Sequence, residues 1–114
     1  MPTDPSSRRR PEAERLVLIV FRSSLEADVL GVLRRAGVGA FTVLPQVLGI
    51  GAAGKALHTF PWPGTNMAIL VALARAQATA LVRGLVAFRS RASARQKGVE
   101  VPLRVFVIPC IQAA

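Results

Sequence analysis

Two uninterrupted apolar runs lie at residues 16–21 and 67–74, the first rich in β-branched side chains and too short for a helix. Each predicts a strand covered on both faces. An amphipathic stripe follows each run. Leu25, Val29, Val32, Leu33 and Ala36 share one helical face, while Glu26, Asp28, Arg34 and Arg35 lie mostly off it. Ser23 with Glu26 three residues later reads as a capping box, Asp28 adds favourable charge to the first turn, and Gly37 is placed to end the helix. A second stripe, Ala78, Leu81, Val82, Leu85 and Phe88, predicts a helix over 76–91, with Gln77, Arg83, Arg89 and Arg91 largely off it. Residues 40–48 have strand composition but carry Pro45, which suits a sheet edge. A last strand is predicted at 103–108, stopping before Pro109. Residues 49–65, dense in Gly and Pro, read as a long loop, and Gln96, Lys97 and Gly98 as a turn.

The order strand, helix, strand, strand, helix, strand predicts an α+β fold, the ferredoxin-like βαββαβ sandwich, with two helices on one face of an antiparallel sheet. The two apolar runs are expected in the middle of the sheet, parallel to each other, with strands 2 and 4 at the edges. Two helices cover one face only, yet the central runs are apolar at both parities. Another copy of the chain is therefore expected on the other face. Residues 1–14, rich in Pro, Ser and charge, are read as a disordered basic tail, and 15–114 as one domain.

Composition sharpens this picture at a few points. Hydrophobic residues make up 52% of the 114, and the mean hydropathy of +0.44 strengthens the expectation of covered surface. The formal net charge of +9 invites a nucleic-acid reading. Arg8 to Arg10 sit in the tail, Arg89, Arg91, Arg95 and Lys97 cluster after the second helix, and the other basic residues are scattered, with no aromatic ladder interleaved, which weighs against nucleic acid. Arg75 and Arg83 interrupt the apolar stretch 67–88, so no membrane span is expected; nothing resembles a secretory signal, and a cytoplasmic location is expected. The single Cys110 reads as a small buried hydrophobe.

Candidate chemistry is sparse. After residue 15 the carboxylates are Glu26, Asp28 and Glu100, and His58 is the single histidine. Paired-carboxylate catalysis, a His-centred relay and a metal cage all lack their residues, and no enzyme activity is expected. Gly49, Gly51, Gly54 and Lys55 match the dinucleotide pattern and most of a P-loop. Ala56 stands where Ser or Thr would hold Mg²⁺, and the following Leu-His-Thr-Phe-Pro-Trp-Pro-Gly cannot start a helix. Glycine amides beside Lys55 retain the capacity to cradle an anion. Trp62, between Pro61 and Pro63, is held either against a partner or over the base of its own loop.

The strand order, with Val47-Leu48-Gly49-Ile50-Gly51, His58-Thr59, Trp62-Pro63-Gly64-Thr65-Asn66 and the closing Val107-Ile108-Pro109, resembles the PII-like signalling proteins, relatives of the nitrogen-regulatory PII proteins. The resemblance covers residues 15–111 and implies a cytoplasmic homotrimer. In that family the loop after strand 2, the T-loop, grips a partner such as a transporter or an enzyme, and effectors sit in clefts between subunits. By position the resemblance implies ligand contacts from Gly49, Gly51, Lys55, Lys97, Gly98 and Arg104, and partner contacts from His58, Trp62 and Asn66. The TGxxGDGK phosphate loop of the nitrogen-regulatory members is absent, Ala53 replaces a T-loop glutamine, and the chain has no tyrosine to uridylylate. The expected effector is accordingly ADP or AMP in preference to ATP, without Mg²⁺. The alternatives are a CutA-like trimer serving metal tolerance or scaffolding, and a basic nucleic-acid-binding protein.

Overall fold

The structure, a computed structural model, describes residues 13–47, 65–95 and 101–114. Most of the predicted tail, the glycine-rich part of the long loop and the Gln96-Lys97-Gly98 turn lie outside the described residues. Strand β1 (Ala13–Arg22) leads through a 3-10 turn (Ser23–Leu25) into helix α1 (Glu26–Arg35). Strands β2 (Thr42–Val47) and β3 (Asn66–Leu73), helix α2 (Arg75–Arg95) and strand β4 (Leu103–Ile111) follow. Strand β1 thus opens two residues ahead of the expected domain start.

The sheet order is β2-β3-β1-β4, with the two apolar runs central and the two proline-bearing strands at the edges. The expected parallel arrangement of β1 and β3 is corrected: they pair antiparallel, Val17 opposite Val71 and Ile19 opposite Ile69. Helix α1 carries the chain back so that β2 runs in the direction of β1, and the connection from β2 to β3 then reverses it. Strand β3 can fill the gap between them only antiparallel to both, as the β2–β3 register confirms. Between Leu44 and Val47 that register shifts, which places the irregularity at Pro45 and Gln46, on an edge where a missing ladder donor is tolerated.

Strand alternation sends Val17, Ile19 and Phe21 of β1, Met67, Ile69, Val71 and Leu73 of β3, and Leu103 of β4 to one face. There they pack under Val29, Val32 and Leu33 of α1 and Ala78, Leu81, Leu85, Phe88 and Ala92 of α2, forming the core. Most of both predicted stripes is buried, with Leu25, Ala36 and Val82 half-buried at their margins. Gly37, at φ +79°, ends α1 in the left-handed conformation, and the Gln77 amide of α2 donates to the carbonyls of Ala36 (3.3 Å) and Gly37 (2.9 Å), satisfying the helix end.

Three local expectations are corrected by tertiary partners. The Ser23 capping box does not form: its Oγ accepts from the Thr65 amide at 3.2 Å, and the helix start has no side-chain cap. Strand β4 continues through Pro109 to Ile111, because it has a neighbour on one side only and Pro109 lies opposite Arg15. Cys110 is half-buried on that strand, opposite Glu14, since the edge leaves it without full cover.

Candidate functional site

The two segments that the sequence nominates are rooted at the same end of the sheet, on either side of the end of β1. Val47, at the end of β2, pairs with Asn66, and Asn66 pairs with Arg22, at the end of β1. The Arg22 amide donates to the Pro102 carbonyl at 3.1 Å, just before β4. Ser23 clamps the same corner, its amide donating to the Thr65 carbonyl at 2.6 Å while its Oγ accepts from the Thr65 amide. The described ends of the connections 48–64 and 96–100 therefore lie at one end of the sheet, Val47 and Asn66 on β2 and β3 and Leu103 on β4, with the end of β1 between them.

Asn66, nominated for partner contact, is the first residue of β3, where its backbone is held in the ladder between Arg22 and Val47. Arg104 is exposed on β4, opposite Val20. Alternation puts Arg22, Asn66 and Arg104 on the face away from the helices, at this same end. The remaining nominated residues, Gly49, Gly51, Lys55, His58, Trp62, Lys97 and Gly98, lie outside the described residues.

Below that polar end the helix-free face is apolar. Leu16, Leu18, Val20 and Leu70 are half-buried, and Leu44, Phe106 and Ile108 are 43%, 51% and 45% exposed. Ala68 is buried between its register partners Val20 and Leu44. Full burial of such a side chain from an exposed state is worth about 1.5–3 kcal/mol, and those already half covered would gain about half of that.

No protein-family model matches the sequence, and no curated protein does. Solved structures do. The nitrogen regulatory PII-like protein CPII from Thiomonas intermedia K12, solved with ADP, AMP and bicarbonate, matches with a TM-score of 0.67 at 17% identity, over 90% of this chain and 96% of that one. Its apo form matches with a TM-score of 0.55 at 18% identity, over 89% and 95%. A candidate PII-like signalling protein from Thermus thermophilus matches with a TM-score of 0.53 at 17% identity, over 88% and 89%.

This chain has the PII-like fold.

On that PII-like fold the sequence reading missed two cations. Arg89 of α2 reaches the Leu103 carbonyl at 3.4 Å, which Arg104 also approaches, at 3.5 Å. Arg22 stands two residues beyond Val20, the register partner of Arg104. The signal for Arg22 was its place at the end of an apolar strand; that for Arg89 was its position off the buried stripe in the last part of α2. Neither points to β4 without the register. No helix among the described residues is long and apolar enough to cross a membrane, and no group of three or more His, Cys, Asp or Glu among them could hold a metal.

Proposed function

We propose that this chain is a trimeric PII-like regulator that binds an adenine nucleotide, ADP or AMP ahead of ATP, in clefts between copies. Its connection 48–64, acting as a T-loop, carries the ligand state to a partner transporter or enzyme. The carrying observation is the shared root of the two connections at the Arg22, Asn66 and Arg104 end of the sheet. A ligand bound there by Gly49, Gly51, Lys55, Lys97, Gly98 and Arg104 meets the start of the partner-facing segment, so binding favours one arrangement of that segment over another. The apolar helix-free face, exposed at Phe106 and Ile108, supports assembly of copies. The ADP, AMP and bicarbonate in the Thiomonas structures support the ligand class.

The test is calorimetry with ADP, AMP and ATP, with and without Mg²⁺, on wild type and Lys97→Ala. ADP or AMP binding below about 1 mM, weakened in the variant, supports the reading; absence of binding at that level ends it.

A further inference from the structure

A cavity lies at the opposite end of the sheet, independent of the nucleotide reading. Position 15 has the parity of Val17 and Ile19, so Arg15 lies on the helix-bearing face where β3 turns into α2, opposite Leu73 and Pro109 in the two ladders. Arg75, Thr79 and Arg83 recur every four residues on α2 and line the same side of that helix. Together with Ala78, Val82 and Val107 these residues line an open cavity of about 220 Å³.

The charge in this cavity has no counterweight among the described residues. No ion pair joins Arg15, Arg75 or Arg83 to a described carboxylate: alternation puts Glu14 on the other face, and Glu26 and Asp28 open α1 at the far end of the sheet. The Arg15 guanidinium donates to the Glu14 carbonyl at 3.2 Å, and the Thr79 hydroxyl donates to the Arg75 carbonyl at 3.0 Å. Helix α2 has no acidic residue in its first turn, so its positive end adds to the same field. Beside the three guanidiniums, Val107 is left 44% exposed, because α2 does not cover this stretch of the edge strand.

We infer that this cavity binds a small organic oxyanion, a phosphate monoester or carboxylate carrying a compact apolar body. Guanidinium forks match the paired oxygens of such a head, and Val82 and Val107 take the apolar body. The volume of about 220 Å³ is below that of ordinary drug-sized pockets, about 300–1,000 Å³, which matches a compact ligand.

The test is an NMR titration of the full chain with butyl phosphate, pentanoate, inorganic phosphate and butanol, following the amides of Arg75, Thr79, Val82 and Val107. At least one organic anion is expected to saturate these shifts below about 1 mM, with inorganic phosphate and butanol each at least about tenfold weaker. Arg83→Ala, at an exposed position, is expected to weaken that anion about tenfold and Arg83→Lys less, with ADP calorimetry unchanged from wild type. Failure of both organic anions to saturate, inorganic phosphate binding equally well, or undiminished binding in Arg83→Ala each overturns the inference.

Discussion

At Gly84 the two helices meet closely: a Cβ built on it would stand 2.9 Å from Cγ1 of Val32, a buried β-branched side chain. Gly84→Ala gains about 1 kcal/mol in helix propensity but overpacks this seam at a cost of about 1–3 kcal/mol. A net loss of about 1 kcal/mol in urea denaturation is expected. In a Val32→Ala background the obstacle is gone, and the same substitution is expected to become stabilising; stabilisation in both backgrounds would contradict the close approach. Gly37 carries a different constraint, its φ of +79°. Gly37→Ala is expected to lose about 1 kcal/mol, and Gln77→Ala about as much through the two carbonyl contacts it gives up, both read as shifts of the denaturation midpoint. Gly37 was legible as a helix stop from its place after an apolar stripe. Its partner Gln77, about forty residues away, was not, because only the packed helices bring that amide to the carbonyls.

At the level of elements, α2 starts without help. The Ala74 carbonyl accepts from the Ala78 amide, which makes Ala74 the capping residue, and alanine offers no acceptor to the free amides of the first turn. Ala74→Asp at this exposed position is expected to stabilise the protein by about 1 kcal/mol, since it supplies both an acceptor and a negative charge at the positive helix end. An unchanged thermal midpoint would show that those amides are already satisfied. The elements themselves were readable because periodicity survives tertiary structure: both stripes and both central runs are where the hydrophobic pattern puts them. The failures share one cause. Ser23 carries a capping signal but spends its hydroxyl on Thr65, and Pro109 carries a stop signal but lies on an edge that has no second ladder to interrupt. A local signal yields where a distant partner offers a better hydrogen bond or removes the penalty.

For the whole molecule, the apolar face without helices decides most. Its existence was legible from runs apolar at both parities, and Leu18, Leu70, Phe106 and Ile108 form it. The candidate site was legible in part: the described ends of the two connections lie at one sheet end, but Arg22 and Arg89 join that end only through register and helix packing. Phe106→Asp leaves the core untouched, because Phe106 is 51% exposed in the single chain, and places a charge on the face that copies would share. Light scattering is expected to give three times the 12.1 kDa chain mass for wild type and the single chain mass for Phe106→Asp. The most direct test of an effector held between copies is an ADP titration by calorimetry on these two proteins. The account predicts saturable binding to wild type and at least about tenfold weaker binding to the monomeric variant. A folded monomer that binds ADP as tightly as wild type, or a wild-type trimer that binds none, would contradict it.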